Sequence, residues 1–217
     1  MKKALVAIGV AALAAGAQAA AFQNGSFELG PATPPAGNFL TYASGATAIT
    51  GWIVTGAGVN LYVRYWQASN GSRLLVFTAQ DSGGVEQTFD TVAGRVYRVS
   101  FDLAGTPNGP PNCPGGPDRS VQVQATGGNA ATYTFDTTGR AAYNMGWTGQ
   151  TYTFTATGSS TLLSFVSLNH IPCGPALDNV VVTDVTPNPV PATSDWGLLA
   201  LASLLGFAAW RGRRRSH

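Results

Sequence analysis

Tyr97-Arg98-Val99-Ser100-Phe101-Asp102-Leu103 places an apolar side chain at every second position, with charged or hydroxylic residues between. That spacing is the side-chain period of a β-strand, so the stretch buries one face and wets the other. The alternation recurs further along: Val121, Val123 and Ala125 against Gln122 and Gln124, then Tyr133 and Phe135 against Thr132, Thr134 and Asp136. Tyr152, Phe154 and Ala156 repeat it against Thr151, Thr153 and Thr155. Further strands are expected over 74–79, 85–91, 161–168 and 177–185, and no internal stretch sustains a helical period. Turn residues break the chain about every ten residues, the spacing of an all-β sandwich. A Pro/Gly-rich loop over 105–117 holds Cys113.

The two ends read differently. Lys2 and Lys3, an apolar stretch over 4–17 and Ala17-Gln18-Ala19 make an export signal, so 1–21 is expected to be removed by signal peptidase. Residues 22–185, roughly 165 in number, suffice for one core and are too few for two typical domains. Repeated prolines over 186–195 make an extended spacer. The apolar run from Trp196 to Trp210 spans roughly 22 Å as a helix, short of the ~30 Å hydrocarbon core. Arg211, Arg213, Arg214 and Arg215 follow it and stay on the cytoplasmic side. The precursor is thus expected to sit transiently in the inner membrane by 196–217, with the domain outside.

Twelve cations and ten acids give the whole chain +2, but both lysines and four arginines lie in the terminal segments. Six arginines remain against ten acids, so the exported part is mildly acidic at −4. Nucleic acid is excluded as a partner, because counterion release needs clustered cations on the folded domain. Cys113 and Cys173, an even pair in an oxidising compartment, are expected to form one disulfide. The alternatives are two free thiols or, more weakly, a zinc site with an incomplete ligand set.

Catalytic material is thin. His170 is the one histidine in the exported domain, and no G-x-S-x-G nucleophile elbow accompanies it. The carboxylates Glu28, Asp81, Glu86, Asp90, Asp102, Asp118, Asp136 and Asp178 fall mostly on solvent faces or in turns, where acids serve solubility. A non-catalytic protein is expected.

The tail Val190-Pro191-Ala192-Thr193-Ser194-Asp195-Trp196, with the apolar run and arginines behind it, resembles C-terminal sorting signals of the PEP-CTERM and IPTL-CTERM kind. It departs from the second, which would read Ile-Pro-Thr-Leu-Ser-x-Trp. The resemblance implies processing by an exosortase-type enzyme and a mature domain at the cell surface or in the extracellular matrix.

Asn24-Gly25-Ser26-Phe27-Glu28 and Gly174-Pro175-Ala176-Leu177-Asp178-Asn179-Val180 lie at opposite ends of the domain. Together with Thr50-Gly51-Trp52, Tyr65-Trp66-Gln67-Ala68 and Asn144-Met145-Gly146-Trp147-Thr148, they resemble the choice-of-anchor C family. That family is related to plant cell-wall proteins and, more distantly, to carbohydrate-binding modules with the galactose-binding-like jelly roll. The resemblance implies a jelly-roll β-sandwich. It also implies one structural calcium ion held by Glu28 and Asp178, unless these carboxylates cap turns or accept backbone amides instead.

A sugar site is expected on Val59–Trp66. Read as one strand, it turns Val59, Leu61 and Val63 to the core and sets Asn60, Tyr62, Arg64 and Trp66 together on the other face, with Gln67 extending them. Aromatic rings beside amide and guanidinium donors suit a pyranose. The competing reading packs Tyr62 and Trp66 under a neighbouring loop. Trp52 and Trp147 are assigned to the core. The function expected is a non-catalytic surface or matrix protein that binds polysaccharide; the alternative is a structural matrix component that binds no sugar.

Overall fold

The computed structural model describes residues 21–30, 39–77, 81–107, 113 and 115–187. The signal peptide over 1–21, save its last residue, and the apolar tail lie outside these residues, as do Val190, Pro191, Ser194, Asp195, Trp196, Arg211, Arg213, Arg214 and Arg215. The chain divides at Val185, and the unit up to that residue is described below.

Its described strands are β1 (Phe39–Tyr42), β2 (Ile53–Gly56), β3 (Val59–Val63), β4 (Arg73–Val76), β5 (Gly83–Asp90) and β6 (Val96–Gly105). β7 (Asp118–Ala125), β8 (Ala131–Asp136), β9 (Thr148–Thr155), β10 (Ser160–Ser167) and β11 (Pro175–Asp184) complete them. They form two antiparallel sheets, in the orders β1-β3-β4-β11-β6-β9 and β2-β5-β10-β7-β8. The last strand therefore lies in the middle of its sheet.

Register explains the core. Leu61 pairs with Leu75, Leu75 with Leu177, and Leu177 with Leu103, so one row of leucines crosses β3, β4, β11 and β6. All four are at least 99% buried, and each contributes about 1.5–3 kcal/mol of apolar burial. Phe165 of the opposite sheet meets Phe101 edge-on at 5.2 Å and Trp52 at 6.2 Å. The alternations in β6 to β9 thus did set the two faces. β1 and β2 were missed because four residues are too few to display a period.

Two expected strands end early. The stretch over 74–79 stops as a strand at Val76, although the Phe77 N–H still donates to the Pro175 carbonyl at 3.1 Å. The stretch from Val59 to Trp66 stops at Val63, because Arg64 adopts a φ of 54° that reverses the chain.

Residues 21–30 close one end of the sandwich. Phe22 packs edge-on to Trp52 and Phe89, while Phe27 is fully buried beside Trp52. Gln87, on the inward face of β5, is satisfied by the Gln23 backbone, accepting its N–H at 2.8 Å and donating to its carbonyl at 3.0 Å. At the other end Cys113 and Cys173 form the expected disulfide across a separation of 60 residues. Chain entropy values such a closure at up to about 4 kcal/mol.

Candidate functional site

Residues 64–72 link β3 to β4, and their base is closed by the Arg64 N–H donating to the Ser72 carbonyl at 2.9 Å. Two carboxylates from distant parts of the chain hold this loop. Glu28 Oε1 accepts the N–H groups of Ser72 and Arg73 at 2.7 Å each, and Oε2 accepts the Ser72 hydroxyl at 3.0 Å. Gly71 lies so close that a Cβ there would stand 2.5 Å from Glu28 Oε1, and its φ of 70° suits only glycine well. Asp178 Oδ2 accepts the N–H groups of Ser69 and Asn70 at 2.8 Å, while Oδ1 accepts that of Asn179 at 2.7 Å. Asp102, opposite Asp178 across the β6–β11 pair, takes the Ser69 hydroxyl and the Asn179 side-chain amide. The motifs at the two ends of the domain thus meet on one loop.

This arrangement does not fit a calcium ion held by Glu28 and Asp178. All four of their carboxylate oxygens already accept protein donors, whereas calcium needs several oxygens converging on one point. Among the described residues no group of three or more His, Cys, Asp or Glu side chains could hold a metal. The two acids do what the competing reading assigned them, accepting backbone amides.

Asp178 is fully buried. Burial pushes its carboxyl up to about 7 against the pull of the three amides, and the Asp102 carboxylate adds a further push. A pKa raised above its unfolded value contributes stability that is complete near pH 4 and lost as pH rises through 7. The melting temperature is therefore expected to rise by several degrees between pH 8 and pH 5. Asp81 and Asp136, both held below the usual carboxylate value by hydrogen bonds, titrate below this window. Thermal melts across it, with Asp178→Asn as the variant that loses the slope, check the assignment. A melting temperature that falls on acidification would sink it.

The expected aromatic platform is rearranged. Tyr62 and Trp66 stack on each other at 4.2 Å and 12°, and both belong to the buried core. With the strand ending at Val63, Trp66 folds back over Tyr62 rather than standing beside it, so neither ring offers a free face. Tyr65 does: it is 45% exposed, and its ring lies 5.8 Å from both Tyr62 and Trp66. Phe39 of β1, also half exposed, covers the other flank of Tyr62 at 4.9 Å. Arg64 and Gln67 are exposed and Asn60 is half-buried. Sequence reasoning passed over Tyr65 because strict alternation placed it on the core face.

Gln67 ties two loops together. Its N–H donates to the Ala142 carbonyl at 2.8 Å, its Oε1 accepts the Met145 N–H at 3.2 Å, and its carbonyl accepts the Trp147 indole at 2.8 Å. Trp147 is consequently packed against the core but only half-buried, whereas Trp52 is fully inside, its indole bonded to the Asn24 carbonyl. Tyr143, on the tied loop, is 85% exposed. His170 pairs with Asp81 on an open surface, and the adjacent Ser82 hydroxyl donates to the Ser167 carbonyl instead of to the imidazole.

Fold and site define a two-sheet antiparallel β-sandwich that carries its exposed aromatic chemistry on a loop locked by two carboxylates. Residues 20–183 match the family described as a protein of unknown function (DUF642), and the chain belongs to that family. Residues 188–215 match the IPTL-CTERM motif, despite Val-Pro-Ala at its start, and mark an exported, C-terminally sorted surface protein.

The chain is 28% identical over 183 residues to Protein TEEBE of Arabidopsis thaliana, covering 74% of this chain and 45% of that protein. It is 27% identical over 166 residues to Halomucin of Haloquadratum walsbyi, covering 75% of this chain and 2% of that protein. It thus spans less than half the length of these relatives. Among solved structures it resembles the carbohydrate-binding module TmCBM61 in complex with β-1,4-galactotriose, at 19% identity and a TM-score of 0.47, over 75% of this chain and 97% of that one. A family 35 carbohydrate-binding module from Clostridium thermocellum gives 14% identity and a TM-score of 0.45, over 68% and 99%.

Proposed function

We propose that this is a non-catalytic surface or matrix protein, a galactose-binding-like jelly roll that binds polysaccharide through the exposed face of Tyr65. The observation that carries the reading is the half-exposed Tyr65 ring, backed by the buried Tyr62–Trp66 stack and set in a loop fixed by Glu28 and Asp178. A rigid ring offers a pyranose its apolar face at little entropic cost. Arg64 and Gln67, exposed on the same loop, supply donors for hydroxyls. The outer face of the five-stranded sheet offers Glu86, Thr88, Gln122, Gln124, Thr132 and Ser164, polar groups without a ring to stack on. In this reading the precursor is held in the inner membrane by its C-terminal helix until an exosortase-type enzyme processes it.

Tyr65→Ala is expected to weaken binding at least about tenfold on a glycan array, since a stacked ring contributes on the order of 1.5 kcal/mol or more. Its melting temperature should stay within about 2 °C of the parent, because exposed side chains contribute little to stability. Undiminished binding by this variant defeats the site. A parent protein that retains no glycan at all favours the purely structural role.

A further inference from the structure

Arg119, the second residue of β7, points inward and is 98% buried. Its Nη1 donates to the carbonyls of Gly116 and Asp118 at 2.7 and 2.9 Å, while its Nε has no partner. The fold makes room for it: a Cβ at Gly105 would stand 2.6 Å from Arg119 Cγ. Arg140, from the loop after β8, lies over the Phe135 ring at 5.5 Å, and its Nε is likewise buried and unpartnered. Gly146 admits this guanidinium, since a Cβ there would stand 2.3 Å from Arg140 Nη1.

Both arginines line one cavity of about 440 Å³, walled also by Thr138, Gly139, Pro107 and the disulfide-bonded Cys113. That volume falls in the range of small-molecule sites, which run from about 300 to 1,000 Å³. Among the described residues no carboxylate lines it. Asp118 and Asp136 lie nearby and act on Arg119 and Arg140 through space, yet neither forms an ion pair with them among the described residues. Burial holds Arg119 below its usual pKa, the mark of a cation without a matching charge.

We propose that this cavity binds the carboxylate of an acidic sugar residue, a hexuronate, with the guanidinium groups of Arg119 and Arg140 as its anion donors. A buried N–H without an acceptor is costly, and a planar carboxylate meets a guanidinium through two parallel bonds. The Thr138 and Gly139 wall then borders the sugar ring. The inference rests on the reading of the domain as a glycan binder but not on the Tyr65 platform.

The test is titration calorimetry of the protein with trigalacturonate and with its methyl ester, which keeps the shape and removes the charge. The free acid is expected to bind at least about tenfold more tightly than the ester, and Arg140→Gln to lose a similar factor. Arg140 is only half-buried, so that variant should fold; a melt confirms it, and the ester comparison needs no variant. Tyr65→Ala should keep its uronate affinity, which separates this site from the aromatic one. Equal binding of acid and ester, or an unchanged affinity in folded Arg140→Gln, overturns the proposal.

Discussion

Replacing Trp66 by alanine is expected to destabilise the domain by about 3–5 kcal/mol and lower its melting temperature by roughly 10 °C. A tryptophan on an open strand face would leave stability nearly untouched when removed. Trp66 is 95% buried, stacks on Tyr62 and borders Tyr65. Its removal opens a cavity under the loop and takes away the support that holds the Tyr65 ring. Binding should fall as well, but as a consequence of lost order. The pair Trp66→Ala and Tyr65→Ala separates the roles: the first should lose stability and binding together, the second binding alone. Thermal melts that leave Trp66→Ala within 2 °C of the parent would return it to the surface.

Gly174→Ala is expected to cost at least about 3 kcal/mol, the upper end of overpacking penalties, because the clash is with backbone rather than with a side chain that can turn away. A Cβ at Gly174 would stand 1.7 Å from the Phe77 carbonyl oxygen, and the Gly174 carbonyl already accepts both the N–H and the hydroxyl of Thr106 at 3.1 Å. Gly25 meets the same limit, 1.7 Å from the Val180 carbonyl oxygen. Gly116→Ala is the control: no atom of the described residues lies within 4 Å of its Cβ position, and its stability should move by less than about 1 kcal/mol. Chemical denaturation of the two variants measures the contrast. A Gly174→Ala protein as stable as the Gly116→Ala control would contradict the packing described here.

These glycines show why the motifs were legible as motifs before their role was. Asn24-Gly25 and Asn179-Val180 stand together because the first backbone runs against the second, with the Val180 N–H donating to the Gly25 carbonyl at 2.9 Å. Spacing along the chain carries no trace of that approach. The long strands were readable because β6, β7, β9 and β10 have one wet face each, and alternation is the direct record of that asymmetry. The site was less readable. Its decisive event is a single left-handed residue, Arg64, which ends a strand where the side-chain pattern runs on. One residue of that kind exchanges which of Tyr65 and Trp66 meets solvent. The arginine cavity left only a faint signal: period two carries Arg119 onto the buried face of Val121 and Val123, where a charged side chain is out of place.

The strand that carries Asp178 is the last to be synthesised and yet lies between β4 and β6. A chain that emerges from a membrane N-terminus first has β3, β4 and the 64–72 loop outside long before β11 follows. Until it does, the six-stranded sheet lacks the strand that joins its two halves, and Ser69 and Asn70 lack the Asp178 carboxylate that holds them in the folded domain. On the proposed function, competence to bind is therefore a late event, reached only when nearly the whole domain has been exported.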